Sequence, residues 1–153
     1  MSQEIWPNES WTWQFEKTIL SEPAAGKRFL EEVLRQLEML HWNERDVFGV
    51  HLALEEAVVN AIKHGNRCDA SKRVHIDCRI SPRRFFVEVR DEGQGFNPEA
   101  VPDCTDEDRL EMPGGRGVLL MRSFMSSVEY NGKGNSVVMT KERSVSEAES
   151  TAE

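Results

Sequence analysis

At 153 residues, the chain is sized for one domain around one core; it has no run of about 18 apolar residues of the kind that crosses a bilayer, so no membrane contact is expected. A formal charge of −8 runs against direct nucleic-acid binding, which needs a basic footprint, and favours small-molecule or protein partners. Cys68, Cys78 and Cys104 lack close pairing or CxxC spacing, which excludes a disulfide framework and a zinc site as readings. The start Met1-Ser2-Gln3-Glu4 carries neither the basic region nor the apolar stretch of a secretion signal, so a cytoplasmic protein is expected.

Residues 1–10 are polar and broken by Pro7, and read as a flexible arm. Trp11-Thr12-Trp13-Gln14-Phe15-Glu16 alternates large apolar with polar residues, the period-2 mark of a half-buried strand. From Pro23 to about residue 40, Phe29, Val33, Leu37 and Leu40 recur at helical spacing with Leu30 and Leu34 alongside. Trp42 then precedes Asn43, a good N-cap, and Glu44 and Asp46 place negative charge in the first turn of a second helix. That helix should stop at Gly65. On its wheel Val47, Val50, Leu54, Ala57, Val58 and Ala61 share a core face, while Gly49, Ala53, Glu56, Asn60 and Lys63 share the other. Solvated helix faces usually carry long charged chains, yet here small residues surround a carboxylate and an amide four residues apart. Such a pair suits a hard cation and a reacting oxygen.

After the polar loop 66–72, Val74, Ile76, Cys78 and Ile80 alternate with Arg73, His75, Asp77 and Arg79, giving a strand with one covered and one wet face. Following Ser81-Pro82-Arg83, Phe85, Val87 and Val89 repeat the covered side, and Phe86, Glu88 and Arg90 the wet side. The alternation carries Asp91 to the covered side, where a carboxylate needs a partner. Gly93 and Gly95 follow in Asp91-Glu92-Gly93-Gln94-Gly95-Phe96 and let a ligand approach the backbone closely. Residues 97–114 have no sustained period, contain three prolines and are rich in acid, as a lid or binding loop would be. They end at Gly114-Gly115-Arg116-Gly117-Val118, where glycines run into a helical pattern and backbone N–H groups make a natural phosphate site. Val128-Glu129-Tyr130 and Ser136-Val137-Val138-Met139-Thr140 read as a closing hairpin. The acidic, small-residue tail 144–153 reads as disordered.

This succession resembles the GHKL (Bergerat) ATP-binding fold shared by gyrase, Hsp90, histidine kinases and MutL. Within it the chain is most similar to the small anti-sigma-factor serine/threonine kinases of the RsbW type, over roughly residues 11–141. The fold implied is α+β: a two-layer sandwich with a mixed, mostly antiparallel sheet and helices on one face. It would occupy 11–143, with the lid at about 96–114. Residues 54–65 resemble the family's N box, so Glu56 stands where the family has its general base and Asn60 where an amide oxygen ligates Mg²⁺. Lys63 matches a position often basic near the phosphates. Asp91-Glu92-Gly93-Gln94-Gly95 resembles the first glycine box, whose Asp accepts a hydrogen bond from the adenine amino group. Gly115-Arg116-Gly117-Val118 resembles the second, whose amides hold phosphates. Gly134-Asn135-Ser136 stands where relatives often have Gly-Thr-Thr, so Ser136 would supply a hydroxyl near adenine, with Asn135 a departure. Relatives also place an arginine before the second box, a role left here to Arg109 or Arg116.

The resemblance implies ATP and Mg²⁺ as cofactors and phosphoryl transfer to a serine or threonine of an anti-sigma-factor antagonist, by a protein that also binds a sigma factor. Two other readings compete with it. One is a non-catalytic, ATP-dependent protein-binding module; the other is a detached histidine-kinase-like catalytic domain, against which stands the lack of a His-bearing dimerisation helix. Homodimers are common in the resembled family, and the aromatics between Trp11 and Phe15 would serve either such an interface or the core.

Overall fold

The computed structural model describes residues 6–93 and 118–144. The period-2 segments form strands β1 (Trp13–Leu20), β2 (Arg73–Ile80), β3 (Arg84–Arg90), β4 (Ser127–Tyr130) and β5 (Ser136–Glu142). They make a five-stranded sheet of order β1-β2-β3-β5-β4. Every pairing among these strands is antiparallel, so the expected mixed sheet is antiparallel throughout its described part. The period-3.6 segments form α1 (Pro23–Met39), α2 (Glu44–Val59) and the short α3 (Val118–Phe124). The helices pack on one sheet face, in an α+β sandwich. Phe29, Val33 and Leu37 from α1, Val50 and Leu54 from α2 and Met121 from α3 meet Ile76, Phe85, Val87 and Met139 of the sheet in one core. Burial of such side chains contributes roughly 1.5–3 kcal/mol each.

Local signals set the joints. Pro23 opens α1, and Asn43 caps α2 by accepting from Asp46 N–H at 2.8 Å. Trp42 is buried between the helices and donates its indole N–H to Ser81 O at 3.1 Å, tying the α1–α2 turn to the β2–β3 turn. At Gly26 an added Cβ would stand 2.9 Å from Val58 Cγ1, so glycine lets α1 approach α2.

Four features differ from the expectations. First, α2 does not run to Gly65 as an α-helix; it ends at Val59 and continues as a π turn over Asn60–Gly65. Second, the face of α2 opposite the sheet core is covered in part: Gly49 and Ala53 are buried, and a Cβ at Gly49 would lie 3.1 Å from Phe124 Cβ of α3. Third, the outer sheet face is not simply wet. Phe86 is 1% exposed there, with the Arg79 guanidinium over its ring at 5.7 Å, and Arg79 in turn is gripped by both Asp77 oxygens at 3.0 and 2.9 Å. Fourth, the described part of the N-terminal arm is tied down. Glu9 accepts from Ser81 Oγ at 2.6 Å and pairs with Arg84 at 3.3 Å, and the Arg84 guanidinium lies 4.7 Å from the Trp6 ring centroid. The strand expected from Trp11 begins at Trp13; Trp13 and Phe15 pack against the core, with Phe15 and Phe29 ring centroids 5.0 Å apart.

Candidate functional site

The π turn and the end of β3 build the site. Asn60 is 5% exposed and lies one turn beyond Glu56 on the continuing helix. Its Nδ2 donates to Glu56 Oε2 at 3.2 Å, which turns Oδ1 the other way. Among the described residues that buried oxygen has no hydrogen-bond donor. An orphaned buried carbonyl oxygen is costly unless something meets it, and a hard cation meets it well. The chemistry of Asn60 therefore fits Mg²⁺.

Asp91 lies just past β3 on the core side, 6% exposed, as the alternation requires. Its carboxylate accepts from Gly93 N–H at 2.8 Å, and its backbone is held by Asn135 through Asp91 N–H to Asn135 O at 2.9 Å and Asn135 Nδ2 to Asp91 O at 3.2 Å. Burial pushes the Asp91 carboxyl above its ordinary value of 3.8, opposed by the Gly93 N–H. Two glycines make the contact between the π turn and this carboxyl. A Cβ at Gly65 would fall 2.2 Å from Asp91 Cγ, and one at Gly93 would fall 1.9 Å from Gly65 O. Wide π turns recur at functional sites, and here the turn brings backbone directly beneath a buried carboxylate.

Asn60, Asp91, Tyr130, Asn135, Ser136 and Val89 line one small pocket. In the sequence, Tyr130 is an ordinary strand residue of the closing hairpin. Its phenol is driven well above its usual range, chiefly by burial and next by the Glu56 charge, with the Asn60 amide opposing. Its only sequence signal is an aromatic at the hairpin corner facing the two motifs. Asn135, read as a departure, is the residue across from Asp91. The Ser136 hydroxyl points the other way, donating to Glu88 Oε2 at 3.2 Å, because Ser136 alternates with the core-facing Val137.

Lys63 is not brought to this pocket. It lines a groove between α1 and α2 with Gly26, Leu30, Val58 and Ile62. Three residues of a π turn sweep a smaller arc than three of an α-helix, so Lys63 leaves the Asn60 face. Gly95, Gly115, Arg116 and Gly117, the expected lid, Arg109 and Cys104 lie outside the described residues, as do 1–5 and 145–153. Val118 is the first residue of α3, described for its backbone only.

A buried carboxylate above Gly65, a donor-less amide oxygen and an adjacent Glu therefore come together where the π turn meets the end of β3. The chain belongs to the histidine kinase-like ATPase domain family, whose model matches residues 20–141, and family membership implies ATP binding. Among its relatives, an anti-sigma F factor of Clostridium perfringens (strain SM101 / Type A) is 38% identical over 98 residues, covering 60% of this chain and 69% of the relative. The anti-sigma F factor of Bacillus subtilis (strain 168) is 31% identical over 105 residues, covering 65% of this chain and 71% of its own. The serine/threonine-protein kinase BtrW of Bordetella bronchiseptica is 28% identical over 91 residues, 58% of this chain and 64% of that one. A solved structure of the RsbU and RsbW domains of Rv1364c from Mycobacterium tuberculosis superposes with a TM-score of 0.58 at 14% identity over 86% of this chain. The chain spans 32% of that longer protein, and the likeness shows a shared fold.

Proposed function

We propose that this protein is a cytoplasmic ATP- and Mg²⁺-dependent serine/threonine kinase and anti-sigma factor. It binds a sigma factor and phosphorylates an antagonist of that inhibition on a serine or threonine. The observation that carries the reading is the Glu56–Asn60 pair at 3.2 Å with its buried, donor-less amide oxygen. A passive clamp needs a metal-holding amide but has no use for a carboxylate fixed beside it.

The roles divide along the site. Asp91 accepts from the exocyclic amine of adenine, and Gly65 and Gly93 leave room for that approach. Asn60 holds the cation through Oδ1, and Glu56 orients the incoming hydroxyl and takes its proton. Bound Mg²⁺ would supply neutralisation of charge on the transferred group. Gly115, Arg116, Gly117 and the N–H of Val118 are proposed to hold the phosphates, with Gly95 completing the first box. Names of the relatives and membership of the ATPase family support the assignment.

The deciding experiment is calorimetric titration of ATP with Mg²⁺ and with EDTA, followed by transfer of labelled phosphate to a candidate antagonist. Glu56→Gln is expected to keep ATP affinity within about twofold while phosphoryl transfer falls by 10²–10⁴-fold, on the order of a general-base contribution. Full transfer by Glu56→Gln would remove the base assignment, and absence of ATP binding would remove the kinase reading altogether.

A further inference from the structure

The turn that presents Asp91 takes its support from a residue outside the site motifs. Asn66 is 0% exposed, and its polar groups reach four separate segments. Its backbone N–H donates to Ala61 O at 2.8 Å, closing the π turn, and its carbonyl accepts from Asp69 N–H at 2.9 Å. Its side-chain Nδ2 donates to Arg73 O at 3.0 Å at the head of β2. Its Oδ1 accepts from Glu92 N–H at 2.8 Å, in the residue next to Asp91. The Glu92 carboxylate adds an outer tie, accepting from Arg73 N–H at 3.1 Å and meeting His75 Nε2 at 2.7 Å. A buried amide bonded at both its nitrogen and its oxygen holds those partners in one arrangement, since losing either contact strands a buried group.

Gly65, immediately before Asn66, is the floor beneath the Asp91 carboxyl. Any rotation of the 91–93 turn therefore moves that carboxyl against a fixed surface. We propose that Asn66 is a positioning residue for nucleobase discrimination: by fixing Glu92 N–H and Arg73 O it sets the Asp91 carboxylate where it meets an exocyclic purine amine. Asn66 also closes the π turn that Asn60 opens, so the base end and the metal end of the site are set by one element. The inference rests on the reading of Asp91 as the adenine acceptor given above.

The test is paired titration of the full chain, with Mg²⁺, using ATP and purine riboside triphosphate, which lacks the 6-amino group. The ratio of the two affinities reports the Asp91 contact, because a loss of folded protein lowers both alike. Wild-type protein is expected to prefer ATP by about tenfold or more, as suits one hydrogen bond to a charged group. Asn66→Ala should compress the ratio to below about threefold. If Asn66→Ala is too unstable to purify, Asn66→Ser, whose hydroxyl is too short to span both partners, carries the same expectation. An unchanged ratio in the Ala or Ser variant overturns the positioning role. Equal binding of both nucleotides by wild-type protein overturns the Asp91 assignment itself, and the proposal with it.

Discussion

In the proposed role of Asp91, one side chain would serve function against stability. Burial raises its carboxyl above 3.8, so the fold holds that proton more tightly than the unfolded chain does. Stability from this group is therefore complete below pH 3.8 and is lost as pH rises through the raised value, leaving a buried anion at neutrality. Asp91→Asn keeps an oxygen for Gly93 N–H and removes that anion. Its ligand-free melting temperature at pH 7 is expected to equal or exceed that of wild type, while ATP affinity falls about tenfold or more. In wild type, ATP affinity should also weaken on acidification before pH 3.8 is reached, relative to the same titration of Asp91→Asn. A ligand-free Asp91→Asn that melts several degrees lower would assign the carboxylate a structural role instead.

At the scale of elements, the informative joint is the contact of the π turn with the end of β3. Gly65 is needed there for space: the added methyl of Gly65→Ala would sit 2.2 Å from Asp91 Cγ, so the turn or the carboxyl must shift. The expected outcome is loss of most ATP affinity with a stability cost of about 1–3 kcal/mol, the usual range for overpacking. Urea unfolding and nucleotide titration on one sample separate the two effects, and wild-type affinity in Gly65→Ala would refute the close contact. The sequence shows Gly65 as a helix stop, a role glycine commonly has. Only the approach of β3 reveals it as a floor, because helix spacing carries no information about which strand end lies opposite.

For the molecule as a whole, a ligand that binds only the folded chain raises its stability by mass action. At a free concentration one hundred times its dissociation constant the gain is about 2.7 kcal/mol, or about 5–10 °C in melting temperature for a domain of this size. Thermal unfolding with ATP and Mg²⁺ should show that shift. EDTA should remove much of it in wild type and change little in Asn60→Ala, whose orphaned oxygen is gone. An EDTA-sensitive shift of full size in Asn60→Ala would take the cation away from Asn60. On an acidic chain, with net charge −8, the cation proposed at Asn60 would matter the more, since phosphates otherwise meet a repulsive field.

Much of this protein is legible in one dimension because its cause is periodic. Alternation along β2 and β3 carried Asp91 to the core side, apolar spacing delimited α1, and Asn43 marked the start of α2. The order of an N box, two glycine boxes and a closing hairpin was enough to place the chain in its family. Tertiary structure decided what depends on two distant segments meeting. It turned the last helical turn into a π turn, which moved Lys63 away from Asn60. It set Asn135 rather than the Ser136 hydroxyl opposite Asp91, brought Tyr130 beside Glu56 and Asn60, and buried Asn66 between the N box and the first glycine box. Periodicity records which way each side chain faces along its own element, whereas close packing selects the neighbour it faces across the fold.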